Sequence, residues 1–431
     1  DALPIYKLPV NNPVDEKGLF KKDTLLFAGE HVLKINAKVV EVLREKNNLL
    51  HEAKLEHSYP HCWRCRNGLI FRATPQWFFD LEKHDLKDRC IKALERIKFY
   101  PQSGINSLEA TLENRWEWCL SRQRVWGVPI PALINPENPD DYVISAEMIE
   151  KIAQGVEKQG TEFWDGLTID YFFTEGIISQ EQSKKYKKES DILDVWFDSA
   201  ASNSVVLSPI NEYPASLYLE GIDQFRAWFQ VSLLVGMALH DKPPMEMIVS
   251  HGFTVDEKGQ KMSKSLGNVM APQEVIDKMG TDGLRLWVAG LSLEGDAIAS
   301  KTIFNNVIDV YRKVRNISRF MLQNCADFVF SKDAIKHDQL LPLDAYAVQR
   351  AMKLLYECYN AYFEMDFPRV VSKVAEFSSD FLSTFYCDIL KDTLYCELVT
   401  SHKRRSAQTA LWIVLDSLNN VIAPVLSYMS E

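Results

Sequence analysis

The sequence lacks three features that would each point to a particular class of protein. No apolar run approaches the length of a membrane span, which predicts a protein without a transmembrane helix. No internal repeat or low-complexity tract is visible, which excludes repeat architectures and compositionally biased disorder. No secretory segment opens the chain, and the eight cysteines are dispersed apart from Cys62 and Cys65, so a cytoplasmic protein is predicted rather than a disulfide-linked secreted one.

Basic residues are fewer than acidic residues. Lys and Arg number 49 against 59 Asp and Glu, and the net charge of −10 argues against a dedicated basic nucleic-acid module. RNA binding stays open, because an acidic protein can carry basic faces that bind phosphates locally. The composition that is present, 46% hydrophobic and 25% charged over 431 residues, is globular and sufficient for roughly two to four domains.

The most informative stretch is VSHGFTVDEKGQKMSKSLGNV, residues 249–269. Its apolar start predicts a strand, and the Asp, Glu and Gly that follow predict a turn. We call residues 256–267 the lysine loop; its glycines allow it to swing, and it carries Lys258, Lys261 and Lys264. Ammonium groups on such a loop can neutralise phosphate oxygens as charge develops in a transition state. The alternative is a solvated turn with a few lysines.

KMSKS at residues 261–265, preceded by HGF at 251–253, resembles the second signature of the class I aminoacyl-tRNA synthetases. In that family the loop binds ATP phosphates and drives amino acid adenylation, with Mg²⁺ accompanying ATP as substrate. The resemblance implies that Lys261 and Lys264 are catalytic. The ATP-binding residues that it implies are His251, Gly252, Lys261, Met262, Ser263, Lys264 and Ser265. The surrounding words look more like the isoleucine-specific members than the valine- and leucine-specific ones.

A second informative stretch is LYLEGIDQFRAWF, residues 217–229. A strand of alternating character followed by a helix places the carboxylates of Glu220 and Asp223 at the mouth of a parallel sheet, where open α/β folds bind ligands. An aminoacyl-adenylate needs an anion for its α-ammonium, acceptors for its ribose hydroxyls and an apolar wall for a branched side chain. The adenylate-binding residues, also implied by the resemblance, are Glu220, Gly221, Asp223 and Gln224, with Trp196 and Trp228 as the wall. The alternative for either carboxylate is a helix cap.

Four positions differ from the residues that the family's motifs usually carry. DILDVWFDS at 191–199 is followed by Ala200 where the family has glycine, which removes freedom from a predicted loop beside the pocket. Ile222, Phe225 and Ala227 stand where the family has Ser, His and Gly. These departures bear on the fine activity of the site.

Residues 115–131, RWEWCLSRQRVWGVPIP, concentrate arginine and tryptophan and match the family's WCxSRQRxWG. Arg122 and Arg124 can contact RNA phosphates. The tryptophans that can form a seam between domains are Trp116, Trp118 and Trp126. Arginines stacked on structural tryptophans are an equally good interpretation.

Cys62 and Cys65 have the spacing of half a zinc site. A structural zinc needs four ligands, commonly with a second pair downstream. Some relatives carry that pair in the segment that corresponds to residues 129–135, which contains none here. Two buried or unpaired thiols are therefore the alternative to zinc.

The resemblance implies an α/β fold, the second half of a Rossmann-like nucleotide-binding domain, preceded by the end of an inserted editing domain and followed by an α-helical bundle. The implied boundaries are 1–58 for the editing insertion, 59–299 for the catalytic domain and 300–431 for a truncated anticodon-binding bundle. Within the middle segment, residues 184–188 predict a charged surface helix.

The family's His-x-Gly-His and editing words are absent from these 431 residues. The chain is therefore predicted to be a central piece of a monomeric enzyme, inactive alone. The predicted activity of the whole enzyme is ATP-dependent ligation of isoleucine to its tRNA through isoleucyl-adenylate, with no membrane partner. Two alternatives stay open, a catalytically inactive tRNA-binding remnant and the same chemistry with valine. The intact lysine loop favours catalysis, because a binding-only remnant has no need of it.

Overall fold

The computed structural model describes residues 11–62, 65–263 and 266–431. The chain divides into two compact units, which are described separately. The first unit comprises Asp1–Phe79 and Cys119–Asp194, and the second comprises Asp80–Trp118 and Val195–Glu431. The domain boundaries after residues 58 and 299 stay predictions.

The elements are numbered in chain order. The strands are β1 (Phe78–Asp80), β2 (Lys98–Tyr100), β3 (Glu117–Cys119), β4 (Ser121–Arg122), β5 (Leu133–Asn135), β6 (Asn138–Val143), β7 (Lys187–Lys188), β8 (Ile192–Leu193), β9 (Tyr218–Gly221), β10 (Met247–His251), β11 (Thr254–Val255) and β12 (Ala297–Ile298). The helices are α1 (Asn36–Glu45), α2 (Leu86–Ala93), α3 (Gly104–Glu113), α4 (Ala146–Gln159), α5 (Glu162–Gly166), α6 (Ile169–Thr174), α7 (Gln180–Ser183), α8 (Val195–Val206), α9 (Trp228–His240), α10 (Pro272–Ala289), α11 (Lys301–Asn324), α12 (Phe330–Asp333), α13 (Pro342–Phe363), α14 (Phe367–Glu376), α15 (Cys387–Cys396), α16 (His402–Ile422) and α17 (Ser427–Ser430). In the part of the chain that the structure describes, no helix is both long and apolar enough to span a bilayer.

A three-stranded parallel sheet in the order β2-β10-β9 lies in the second unit. In the central strand, Ile248 lies opposite Phe99 of β2 and Tyr218 of β9. Strands of a parallel sheet are covered on both faces, which explains why Ile248 and Val249 are consecutive apolar residues and are both buried. The apolar helix α9 follows β9 and packs against α2 and α8. The α/β fold predicted from the sequence is confirmed.

From Lys301 the second unit is helical to the end of the chain. Helices α11 and α13 to α16, with a π-helical segment at Phe377–Tyr386, share one hydrophobic core. On α11, Val314 and Ile317 are buried in that core while Arg312 and Arg319 are exposed, as expected for an amphipathic helix. The predicted helical bundle is therefore confirmed.

Helix α10 is tied to the last turn of the bundle. The buried carboxylate of Asp282 accepts hydrogen bonds from the backbone N–H groups of Tyr428 and Met429, at 3.2 and 2.8 Å. Arg285, one turn further along α10, donates to two backbone carbonyls just before α17, at 2.9 and 2.7 Å. The helix that follows the lysine loop is therefore held by the bundle.

The first unit contains short antiparallel strands, ordered β6-β5-β7 and β4-β8. Leu133 of β5 packs in a cluster with Met148, Trp164 and Phe172 from the helices that follow. The surface helix predicted at residues 184–188 is wrong, because α7 ends at Ser183 and β7 pairs with β5. A pairing with a distant strand overrides the local charge pattern here.

Candidate functional site

Strands β9 and β10 end side by side at the carboxyl edge of the parallel sheet. In their register Glu220 lies opposite Ser250, and Gly221 lies opposite His251. The side chains of Glu220 and Asp223 are exposed to solvent at this edge. The two informative stretches of the sequence therefore meet where an open α/β fold binds its ligands.

Gln224 organises the turn between β9 and α9. Its side-chain oxygen accepts a hydrogen bond from the backbone N–H of Trp228 at 3.1 Å, and its amide nitrogen donates to Asp223 Oδ2, also at 3.1 Å. Trp228 is the first residue of α9, and the N-cap residue Ala227 provides no side-chain hydrogen bond, so Gln224 satisfies the first backbone N–H of the helix. Gln224 therefore orients one carboxylate of the site.

Two aromatic residues on β9 and α9 form a stacked pair next to the turn that carries the carboxylates. Tyr218 and Trp228 stack face to face, with ring centres 4.0 Å apart and planes 3° from parallel. The indole N–H of Trp228 donates to the carbonyl of Ser199 in α8 at 3.3 Å, and Trp196 lies on the same helix, 39% exposed. Burial raises the pKa of Tyr218 to about 12, so its phenol stays neutral at physiological pH. Together these contacts fix Trp228 in position.

The four residues that differ from the family's motifs lie in different environments. Ala200 is buried inside α8 rather than in the predicted loop, and alanine suits a helix interior better than glycine. Phe225 is also buried, with its ring 5.3 Å from that of Phe229. Ile222 is 44% exposed beside the carboxylates, and Ala227 precedes the first residue of α9. Of the four, Ile222 is the one that presents a large side chain to solvent at the edge.

The segment between β10 and the lysine loop is tightly enclosed. A Cβ atom at Gly252 would lie 2.3 Å from the carbonyl oxygen of Gly295, so only glycine fits there. The next residue, Phe253, donates its backbone N–H to Asp296 Oδ1 at 2.8 Å. Strand β11 then pairs in parallel with β12. The base of the lysine loop is therefore fixed to residues 295–298.

The described part of the lysine loop folds back on that base. The backbone of Lys261 forms an isolated antiparallel β-bridge with Val255. The ammonium nitrogen of Lys261 lies 3.6 Å from the centre of the Phe253 ring, which is a cation–π contact. Met262 packs against a hydrophobic cluster that includes Val275 and Met279 of α10. Lys264 and Ser265 lie outside the described residues.

Comparison with known protein families identifies the family of the chain. Residues 16–301 match the family described as tRNA synthetases class I (I, L, M and V), and residues 344–431 match the anticodon-binding domain of tRNA ligase. The chain belongs to the class I aminoacyl-tRNA synthetases.

Curated proteins similar to the chain carry the name isoleucine–tRNA ligase. The synthetase chain is 43% identical over 429 residues to isoleucine–tRNA ligase of Hahella chejuensis and 42% identical over 428 residues to that of Idiomarina loihiensis. Both alignments cover 99% of the chain and 45% of the relative, so the chain spans about half the length of these relatives.

Two solved structures share the fold at low sequence identity. Mycobacterium tuberculosis methionyl-tRNA synthetase bound by methionyl-adenylate matches with a TM-score of 0.54 at 16% identity, over 87% of the chain and 65% of that protein. Agrobacterium radiobacter LeuRS, in a ternary complex with tRNA and LeuAMS, matches with a TM-score of 0.53 at 18% identity, over 73% of the chain and 39% of that protein.

The three tryptophans of the 115–131 segment differ in burial in this synthetase chain. Trp118 is 4% exposed, and the guanidinium carbon of Arg115 lies 5.5 Å from its ring centre. Trp116 and Trp126 are 69% and 94% exposed. The arrangement of an arginine over a structural tryptophan therefore holds for Trp118.

The two arginines proposed as RNA contacts also differ. Arg122 donates to Asp194 Oδ2 at 2.7 Å, and that carboxylate is buried, with 7% of its side chain exposed. An arginine that neutralises a buried carboxylate is held by the fold. Arg124 is exposed, so it is the better candidate for a phosphate contact.

The backbone N–H of Cys65 donates a hydrogen bond to Cys62 Sγ at 3.5 Å. Within residues 11–62, 65–263 and 266–431, no group of three or more His, Cys, Asp or Glu side chains is arranged to hold a metal ion. A structural zinc needs four such ligands, so the described residues do not fit one.

Three residues of the site are not predicted from the sequence. Strand alternation places Tyr218 on the same face of β9 as Glu220, which is the signal that identifies it. Nothing in the sequence pattern marks Phe253 as the ring that the Lys261 ammonium contacts. The composition predicts only a turn at Asp256, although an Asp at the start of such a turn commonly accepts local backbone hydrogen bonds.

Proposed function

We propose that this chain forms the lysine-loop half of the adenylation site of an isoleucine–tRNA ligase. The observation that carries the proposal is the meeting of Glu220 and Gly221 with Ser250 and His251 at the carboxyl edge, with the lysine loop directly after it. Identity above 40% to two isoleucine–tRNA ligases over 99% of the chain supports the choice of isoleucine. Because the chain spans 45% of those relatives, the activity is proposed for the complete enzyme that carries this segment.

The proposed reaction has two steps. A carboxylate oxygen of isoleucine bonds to the α-phosphorus of ATP, and the bond from that phosphorus to the bridging oxygen breaks, so pyrophosphate leaves with the electron pair. Mg²⁺ enters with ATP as part of the substrate. A hydroxyl of the terminal ribose of the tRNA then attacks the isoleucyl carbonyl, releasing AMP and a proton.

The carboxyl edge supplies groups that match the adenylate. In the proposal Glu220 receives the α-ammonium and Asp223, oriented by Gln224, accepts hydrogen bonds from ribose hydroxyls. The rings of Trp196 and Trp228 form the apolar wall for the isoleucine side chain. Gly221 leaves room for the ligand beside its strand.

The lysine loop supplies positive charge for the leaving pyrophosphate. Lys261 and Lys264 would approach the phosphates as the bond breaks, when negative charge on the leaving group is greatest. The other proposed ATP-binding residues are His251, Gly252, Met262, Ser263 and Ser265. The helical bundle, which matches an anticodon-binding domain over residues 344–431, is proposed to bind the isoleucine tRNA in the cytoplasm.

Exchange of pyrophosphate into ATP, measured with the complete enzyme, tests the proposal. We expect exchange that depends on isoleucine and is much weaker with valine, and no exchange by the 431-residue chain alone. Stronger exchange with valine would reassign the amino acid. Tight tRNA binding by the complete protein without exchange for either amino acid would refute the ligase proposal and establish a tRNA-binding remnant.

A further inference from the structure

A hydrogen bond connects Asp256, the first residue of the lysine loop, to Asn268, the residue directly after it. Asp256 Oδ1 accepts hydrogen bonds from the backbone N–H groups of Lys258 and Gln260, both at 2.9 Å. Asp256 Oδ2 accepts from the side-chain amide of Asn268 at 3.0 Å. Asn268 Oδ1 in turn accepts from the backbone N–H of Ser263 at 2.9 Å. We call Asp256 and Asn268 the clasp.

The clasp holds the backbone next to the signature lysines. Ser263, which Asn268 fixes, lies between Lys261 and Lys264 in the sequence, and Gln260, which Asp256 fixes, precedes Lys261. The hydrogen bond from Asn268, followed by that from Gln260, lowers the pKa of Asp256 below its ordinary value. The carboxylate therefore stays ionised at neutral pH and remains an acceptor on both oxygens.

The donor and acceptor pattern of the clasp is strict. Asp256 uses both oxygens as acceptors, while Asn268 donates with its nitrogen and accepts with its oxygen. An amide at position 256 would place two amide nitrogens face to face, and turning Asn268 over would place its nitrogen against the Ser263 N–H. A carboxylate at position 268 would face the carboxylate of Asp256. Each single exchange therefore breaks the connection.

We propose that Asp256 and Asn268 are positioning residues for adenylation, which set the resting geometry from which Lys261 and Lys264 reach the ATP phosphates. This inference rests on the proposed function. Neither residue contacts the reacting atoms in the proposal. A misplaced loop must be reordered during the reaction, so loss of the clasp lowers the rate of the chemical step more than it weakens substrate binding.

A reciprocal exchange in the complete enzyme tests the clasp. The single variants Asp256→Asn and Asn268→Asp are each expected to lower the adenylation rate constant about tenfold, with a smaller change in the Michaelis constant for isoleucine. The double variant can restore every hydrogen bond, since the new amide at 256 keeps an oxygen for Lys258 and Gln260 and donates to the new carboxylate at 268. We expect its rate constant within about threefold of the parent.

Asp277→Asn is the matched control. Asp277 is an exposed aspartate on α10 that also accepts from an amide side chain, that of Gln273 at 2.8 Å, but it lies outside the loop. Its variant is expected to keep the parental rate constant. Hydrogen exchange of the segment 256–268, measured on the 431-residue chain, is expected to accelerate in both single variants and to slow again in the double variant.

The outcomes separate this inference from the proposed function. If both single variants keep the parental rate constant while Lys264→Ala lowers it, the clasp is not a positioning device and the proposed function stands. If the double variant regains slow hydrogen exchange without regaining rate, the clasp is structural only and the inference is wrong. If Lys264→Ala also has no effect, the proposed function fails first.

Discussion

Replacing the lysines of the loop one at a time tests the catalytic proposal most directly. In the resting structure the Lys261 ammonium lies 3.6 Å from the centre of the Phe253 ring, a contact worth about 0.5–1 kcal/mol at an exposed site. A positioned charge that acts on the transition state is worth about 3–4 kcal/mol. The ammonium must leave the Phe253 ring before it can stabilise the transition state, so the net stabilisation is about 2–3.5 kcal/mol. Lys261→Ala should therefore lower the adenylation rate constant by roughly a hundredfold.

Lys264 lies outside the described residues, and as the second lysine of the signature it is proposed to act on the same developing charge, so Lys264→Ala is expected to lower the rate constant by about a hundredfold or more. Pyrophosphate exchange at varied isoleucine concentration is the assay, and the Michaelis constant for isoleucine should hardly change because the lysines act on the phosphates. Lys258→Ala is the control, since Lys258 is exposed in the turn before Gly259 and outside the signature. Equal, small effects at all three lysines would show that the loop is a solvated turn and refute the reasoning.

Two further predictions concern the carboxyl edge and the bundle. Glu220→Gln should weaken binding of an isoleucyl-adenylate analogue by about 1.5–3 kcal/mol in a calorimetric titration, while Glu212→Gln, on an exposed residue elsewhere, should not; unchanged binding would remove Glu220 from the site. Tyr386→Phe removes a 2.8 Å hydrogen bond to the buried Asp344 and should lower the free energy of unfolding in urea by about 1–3 kcal/mol, against no change for the exposed Tyr395→Phe. Burial raises the pKa of Asp344, so its contribution to stability is greatest below its ordinary pKa and declines as pH rises through the raised value. The hydrogen bond from Tyr386 opposes this rise, so its loss raises the pKa of Asp344 further and extends the decline to higher pH. The loss of unfolding free energy should therefore be larger at pH 7 than at pH 4, and an equal loss at both would contradict the assignment.

The sequence was sufficient where the signal is local. The alternation and glycine of LYLEGIDQ placed the end of β9 at Gly221, because strand period and turn composition are set by neighbours in the chain. It was insufficient where a partner lies far along the chain. The need for glycine at 252 comes from the carbonyl of Gly295, and Asn268 reaches back across the whole lysine loop to Asp256. The helix predicted at residues 184–188 is wrong for the same reason, since Lys187 and Lys188 pair with β5.

Because α10 is attached to the end of the bundle, the two ends of the lysine loop are held by different parts of the fold. Its leading end is anchored to β10 and β12, whereas its trailing end runs into α10, where Asp282 holds the backbone of Tyr428 and Met429. The loop therefore connects the sheet to the last turn of the helical bundle. A small displacement of that turn would move α10 and so change the distance that the loop has to span.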